Sequence, residues 1–319
     1  MTPAPAHSAV ARRIVVLGGL GFIGQHLTRS LAAQGHDVVA FGKPGQRFVE
    51  APPSVRVAYG DFANRADLDR VLAGADVAFH LVSATLPHTS AQNPALEVTG
   101  NILPSLALID SCRAAGLEQL VFVSSGGTVY GQPASLPISE DHRTDPISPY
   151  GVAKLTIEKF IQLACRTGDL KATIARLSNP FGVGQAIAKR QGIIATFAHA
   201  VAMGKQLEVW GDGTIVRDYI AISDTVAALS GCVGQDDPVR LYNVGSGQGR
   251  SVLDLIDAFS RIVGRKIEVR FLPGRPVDVK ANVLDVRKIE RELGWSCSAP
   301  FDKSLGELLD HYCAVGGPE

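Results

Sequence analysis

Short apolar runs alternate with amphipathic stretches along the first half of the chain. Arg13–Gly18 (RIVVLG) reads as a strand, and Phe22–Gln34 as a helix that stops at Gly35. Asp37–Phe41 and Val55–Tyr59 read as two further strands, followed by a helix over Arg65–Leu72 and a fourth strand, Asp76–His80. A long helical pattern over about 91–115 carries prolines at 94 and 104, which predict a bend or a division. Leu120–Ser124 is a fifth strand, a helix follows Tyr150, and Ala172–Leu177 is a sixth strand. Strands alternating with helices predict an α/β fold with a doubly wound parallel sheet.

The second half is less regular. Helical patterns fall on Ile193–Met203, Asp224–Cys232, Val252–Val263, Val286–Leu293 and Ser304–Tyr312, with short strands at Leu207–Trp210 and Leu241–Val244. Loops rich in Gly and Pro separate them. This predicts a smaller C-terminal α/β lobe that takes the substrate. The expected organisation is a flexible tail (1–11), a dinucleotide-binding domain (12–177) and a substrate lobe (178–319), with the chain crossing between lobes near 213–245.

Composition removes several function classes. The 319 residues carry 31 Lys+Arg against 31 Asp+Glu, so no basic excess is available to neutralise nucleic-acid phosphates. A hydrophobic content of 46% argues against disorder. The cysteines at 112, 165, 232, 297 and 313 never form a C-x-x-C pair, which predicts reduced core thiols and neither disulfides nor a zinc site. The histidines show no metal-ligand spacing. No signal-like or membrane-spanning apolar run is visible, so the expected location is the cytoplasm.

The first strand runs into Gly18-Gly19-Leu20-Gly21-Phe22-Ile23-Gly24 and then a helix. Glycines at 18, 21 and 24 suit a tight turn that brings backbone close to a pyrophosphate, with the helix N-terminus supplying N–H groups to the anion. The context predicts a Rossmann-like sheet and an NAD(P) cofactor. The acidic residue that usually binds the adenosine ribose is missing after the second strand, where Phe41-Gly42-Lys43 stands, with Arg47 beyond. Two readings remain: NAD held by backbone contacts, or NADP with Lys43 near its 2′-phosphate.

Tyr150 and Lys154 lie four residues apart, on one face of a predicted helix. A phenol is a poor base at neutral pH, but a nearby cation favours the phenolate and lets Tyr exchange a proton with a substrate hydroxyl. A serine or threonine ending the fifth strand would assist.

The segments GGLGFIG, FVSSGGTVYG, SPYGVAKL, RLSNPFGVG and VRDYI resemble the extended short-chain dehydrogenase/reductase family over about residues 12–313. Within it the chain is most similar to the NAD-dependent nucleotide-sugar epimerases. The resemblance implies a 4-epimerase of a UDP-hexose, of the glucose/galactose or N-acetylhexosamine type, working through a 4-keto intermediate. The alternative is a 4-keto-sugar reductase or another sugar-nucleotide-modifying member. It makes Tyr150 the acid/base and Lys154 its partner on the ribose hydroxyls. It places Gly18, Gly21, Phe22, Ile23 and Gly24 around the cofactor, with Asp61 and Phe62 by the adenine. It also places His80, Leu81, Val82 and Ser83 along the phosphates and ribose, and makes Asn101 a support of the site. Asn179, Arg217 and Arg275 would hold the substrate diphosphate, with Asp278 near the uridine ribose. Asn282 stands where a smaller side chain would admit a 2-N-acetyl group.

The usual catalytic hydroxyl residue falls on Gly126. Ser125 is the expected replacement, at the substrate oxygen, with Ser124, expected also beside the cofactor, as the alternative. A dehydratase is disfavoured, because Gly127-Thr128 lacks the acidic residue that elimination needs. The resemblance further implies a homodimer through helices about 91–115 and 149–167, with Leu103, Leu106, Ile109, Ile157, Phe160 and Ile161 in the shared face.

Overall fold

The computed structural model describes residues 10–85, 87–168, 170–185, 192–274 and 279–315, with backbone alone at 87–89. The chain runs β1 (Arg13–Leu17), α1 (Phe22–Ala33), β2 (Asp37–Gly42), β3 (Val55–Tyr59), α2 (Arg65–Leu72), β4 (Val77–His80), α3 (Pro87–Gln92), α4 (Ala95–Glu97), a π-helical turn (Val98–Ile102) and α5 (Leu103–Ala114). It continues with β5 (Gln119–Ser125), α6 (Pro149–Thr167), β6 (Lys171–Leu177), β7 (Asn179–Phe181), α7 (Ile193–Ala202), β8 (Leu207–Trp210), β9 (Val216–Ala221) and α8 (Ile222–Ser230). Then follow β10 (Val239–Val244), β11 (Gly249–Ser251), α9 (Val252–Val263), β12 (Val269–Leu272), β13 (Ala281–Asn282), α10 (Arg287–Leu293) and α11 (Phe301–Val315).

Seven parallel strands form the main sheet in the order β10-β6-β5-β4-β1-β2-β3. Near-continuous apolar runs such as IVVL in β1 and LVFV in β5 are what a sheet covered on both faces requires. Leu27 and Leu31 of α1 and Val226 and Leu229 of α8 cover one face. Leu68 and Leu72 of α2, Leu108 and Ile109 of α5, and Ile157 and Ile161 of α6 cover the other. The last strand, β10, comes from the C-terminal half and pairs with β6.

A second, four-stranded sheet is centred on β9, which pairs with β7, β11 and β13. β8 and β12 form a separate parallel pair. α7, α9 and α11 share one apolar cluster with these strands, including Phe197, Leu255, Phe259, Leu305 and Leu308. Helix α9 begins in a capping box between Ser251 and Asp254 and ends at left-handed Gly264.

The helical pattern over 91–115 is divided, as its prolines predict: Pro94 stands at the N-cap of α4, a π-helical turn follows, and Pro104 lies in the first turn of α5. The cysteines are free, but only Cys112, Cys165 and Cys232 are buried; Cys313 is exposed. No helix among the described residues is long and apolar enough to cross a membrane.

Candidate active site

β1 lies where the strand order reverses, flanked by β2 and β4. In such sheets a crevice opens beyond the carboxyl ends of these strands. Gly18 turns the chain there with φ +87°, and a Cβ on Gly24 would stand 2.1 Å from the Gly18 carbonyl oxygen. Helix α1 can begin this close only because both are glycine. Gly21 is its N-cap, with no side-chain cap and no acidic residue in the first turn. The first N–H groups of α1 therefore suit an outside anion, and the residues present fit a dinucleotide pyrophosphate.

Phe22 and Ile23 open this helix, and Ile23 packs on the core. The backbone of Leu81 and Val82 passes 3.2 and 3.3 Å from the position of a Gly18 Cβ, so it borders the turn. Lys43 is exposed beyond β2, its N–H donating to Gln46 Oε1 (2.8 Å). Asp61 is exposed and accepts from the Ala63 N–H (3.1 Å). Phe62 and His80 are both buried, with ring centroids 4.8 Å apart. His80 Nε2 lies 2.9 Å from Ser105 Oγ, and burial holds the imidazole well below its usual pKa. Its side chain belongs to the core.

Ser148 caps α6, accepting from the Gly151 N–H (3.2 Å), and Pro149 opens the helix. That start fixes Tyr150 in the first turn, with Lys154 one turn on. Lys154 is buried; its ammonium donates to Val123 O (3.0 Å) and stands 5.7 Å from the centroid of the Tyr150 ring. Burial lowers Lys154 to about 8, opposed by the charges of Glu97 and Glu158. Burial pushes the Tyr150 phenol up to about 12, helped by Glu97 and opposed by its hydrogen bond with Ser83.

Ser83, just beyond β4, is exposed, and its Oγ donates to Thr85 O (2.9 Å). Ser124 Oγ donates to Glu158 Oε1 (2.5 Å) and is buried against α6. Ser125 is half-buried at the end of β5. Gly126 has no space for a side chain: a Cβ would lie 2.6 Å from Leu284 Cδ1 and 3.1 Å from Arg176 O. Gly126→Ser should therefore lower stability by about 1–3 kcal/mol through overpacking and bring no gain in rate. Thermal melting with steady-state kinetics checks this; a faster, equally stable variant would contradict it.

At the other end, Asn179 Nδ2 donates to Asp218 O (2.8 Å). The Arg217 guanidinium donates to Val216 O (2.9 Å) and Val279 O (2.7 Å). Arg217 and Asn282 are register partners across β9 and β13, and Asn282 Nδ2 donates to Gly126 O (3.1 Å). The structure thereby joins the diphosphate candidate, Asn282 and the loop after β5. Asn282 Oδ1 is buried without a partner among the described residues. Arg275 and Asp278 lie outside the described residues.

Two features were missed from sequence. Glu97 is buried, in contact with Thr85 and the expected support residue Asn101. Glu158 and Arg176 form a buried ion pair under Lys154 and Ser124. An acidic residue one helical turn before Asn101, and another one turn after Lys154, were the available signals. Among the described residues no group of acidic, His or Cys side chains could hold a metal.

The model of the NAD-dependent epimerase/dehydratase family matches residues 14–245. A UDP-glucose 4-epimerase of Mycolicibacterium smegmatis is 30% identical, covering 94% of this chain and 98% of its own. The crystal structure of a UDP-glucose 4-epimerase from Thermotoga maritima with UDP-glucose superposes with a TM-score of 0.90. It is 28% identical, and the match covers 96% of this chain and 100% of that one. A UDP-N-acetylglucosamine 4-epimerase from Methanobrevibacter ruminantium, in complex with UDP-N-acetylmuramic acid, gives 0.89 at 25% identity, covering 96% and 99%.

Proposed function

Because the chain belongs to the NAD-dependent epimerase/dehydratase family, we propose that it inverts C4 of a UDP-hexose through a 4-keto intermediate, using bound NAD. The observation that carries this reading is Tyr150 one turn before Lys154, whose buried ammonium is anchored to Val123 O. Gly18, Gly21 and Gly24, the N-terminus of α1 and the Leu81–Ser83 backbone hold the cofactor. NAD, when bound, supplies a hydride acceptor, and afterwards a donor, at the sugar C4. Tyr150 takes the C4 hydroxyl proton and returns it to the same oxygen after the sugar has turned over. Lys154 keeps positive charge beside the phenol while it is ionised. Ser83 and Ser125 supply hydroxyls at the site. Arg217, with Arg275 and Asn179, anchors the diphosphate, since a guanidinium binds phosphate oxygens in pairs. Asn282, smaller than an aromatic gate, leaves N-acetylhexosamines among the substrates.

The test is incubation with a panel of UDP-glucose, UDP-galactose and the two UDP-N-acetylhexosamines, followed by product separation. Interconversion without net change in reduced cofactor is expected. Stoichiometric loss of NADH with a 4-keto sugar would instead make the chain a reductase.

The enzyme is further read as a cytoplasmic homodimer. Val98, Leu103, Val152, Phe160 and Leu163 form an exposed apolar set on the π-helical turn, α5 and α6. Ile109, Ile157 and Ile161, expected in the same face, are buried in the core instead. Leu163→Glu should halve the mass measured by light scattering; a parent that is already monomeric overturns the dimer.

A further inference from the structure

Asp218 follows Arg217 in β9 and is 0% exposed. Its Oδ1 accepts from the Ser246 N–H (2.8 Å) and from Ser246 Oγ (2.7 Å). Its Oδ2 accepts from the N–H groups of Gly247 (3.2 Å) and Leu284 (3.2 Å). Each of these donors is neutral, so among the described residues the carboxylate is held by hydrogen bonds and not by a cation. The successive N–H groups of Ser246 and Gly247, with Gly247 at φ +69°, form a small anion-binding nest around it. The loop lies close against it: a Cβ on Gly245 would stand 2.4 Å from Asp218 Oδ2.

The donors come from two segments distant in sequence. The loop 245–247 follows β10, the strand that the C-terminal half adds to the main sheet. Leu284 follows β13. A third segment is joined through the backbone: Asp218 O accepts from Asn179 Nδ2 (2.8 Å), and β7 pairs with β9 so that Asn179 stands opposite Tyr219. The Ser178 N–H donates to Val244 O (2.8 Å), which ties the residue before Asn179 to the residue before Gly245.

These connections converge on the candidate substrate site. Asn179 is bonded to Asp218 itself. Arg217 precedes Asp218, and adjacent strand residues face opposite sides, so the loop grips β9 from the face away from the guanidinium. Asn282 pairs with Arg217 in register and lies two residues before Leu284. A carboxylate is costly to bury, and only full hydrogen bonding offsets that cost. Hydrogen bonds to an ionised acceptor are also stronger than neutral ones, so they hold the joined segments firmly.

We propose that Asp218 is a positioning residue of the substrate site. From behind β9 its carboxylate clamps the loop after β10 and the segment after β13, and so sets the spacing at which Arg217, Asn179 and Asn282 meet the diphosphate and the sugar. This role rests on the reading of Arg217 and Asn179 as diphosphate anchors; it does not depend on which sugar is bound.

The test measures UDP binding to the NAD-loaded enzyme by calorimetry, with the melting temperature of each sample. Arg217→Gln should weaken UDP at least about ten-fold, through loss of the paired phosphate contact. Asp218→Asn keeps the shape and an acceptor for Ser246, but sets an amide NH2 against the N–H groups of Gly247 and Leu284. UDP should bind about ten-fold more weakly, and KM for the sugar nucleotide should rise alike, while kcat stays within about two-fold and NAD content is unchanged. Ser246→Ala keeps the charge and removes one bond; UDP should weaken about three-fold at the parent's melting temperature. A carboxylate that serves stability alone would lower the melting temperature of Asp218→Asn and leave its UDP affinity at the parent's, which overturns the proposal. If Asp218→Asn does not fold, Ser246→Ala decides, and the parent's UDP affinity in that variant overturns the proposal equally. An Arg217→Gln variant that binds UDP like the parent would remove the diphosphate reading and this role with it. Weakened binding in Arg217→Gln alone would remove only the role of Asp218.

Discussion

Replacing Tyr150 with phenylalanine is expected to lower kcat about a thousand-fold while leaving the fold and bound NAD intact. A positioned acid/base group contributes roughly 10²–10⁴ in rate, about 4 kcal/mol for a thousand-fold. Phenylalanine fills the same space at the start of α6, so packing and the Ser148 cap persist. Ser83 offers a hydroxyl but cannot serve as the base, because an alcohol is far less acidic than a phenol. The pH dependence carries the sign. In the cofactor-free chain the phenol lies up at about 12, pushed by burial and by Glu97, so it is protonated at neutral pH. Lys154, lowered to about 8 by burial, is cationic below that value and favours the phenolate. Abstraction of the sugar proton needs the phenolate, whose fraction rises ten-fold per pH unit below the phenol's pKa. The parent's kcat/KM should therefore rise with pH on the acid side, and the residual rate of Tyr150→Phe should stay flat. Initial rates across pH, with NAD content read by absorbance after denaturation, check both. A variant keeping more than a tenth of the parent's kcat would remove Tyr150 from this role.

What could be read from sequence was the chemistry carried by local patterns. The strand–glycine–helix entry and the Ser-Pro-Tyr start of α6 are each written within a few consecutive residues, so spacing alone places Gly18, Gly24, Tyr150 and Lys154. The choice between Ser124 and Ser125 could not be made in this way. Adjacent strand residues face opposite sides, and only the packing of α6 under β5 shows that Ser124 faces Glu158. His80 reads as a cofactor neighbour from its place at a strand end, but the three ring and hydrogen-bond partners of its side chain, Phe62, Phe122 and Ser105, come from distant segments and could not be read there. Glu97 was illegible for a related reason. An acidic residue in a polar helix ordinarily reads as a solvated face, and the π-helical turn after it breaks the regular helical spacing from which a face is inferred. The strands β7, β11 and β13, of three, three and two residues, are too short to show an alternation and exist through their pairing with β9.

Arg176→Met should destabilise the enzyme by about 3–5 kcal/mol, because it strands the Glu158 carboxylate in the core. The two side chains are 2% and 0% exposed, and Arg176 donates to both Glu158 oxygens through Nε (3.0 and 3.2 Å) and through Nη2 (2.6 Å). Tyr130 stacks on the guanidinium, 4.8 Å from its ring centroid, and accepts from Nη1 (2.9 Å). A loss of that size corresponds to a fall of about 10 °C in melting temperature for a domain of this class. Glu158→Leu should cost a similar amount, since it leaves a buried guanidinium without its carboxylate. The double variant Arg176→Met with Glu158→Leu should recover most of the loss, because a matched apolar pair carries no desolvation penalty. Activity should not recover with it. Glu158 also accepts from Ser124 at the end of β5 and adds negative charge that helps keep Lys154 protonated. In the double variant Lys154 retains Glu97 but loses Glu158, so its charge should be lost at lower pH. The alkaline limb of the rate profile should then move toward neutrality while the melting temperature returns. Equal melting temperatures for single and double variants would show that the pair's charges are not coupled. An unmoved alkaline limb in the stable double variant would confine the pair to holding α6 against β6.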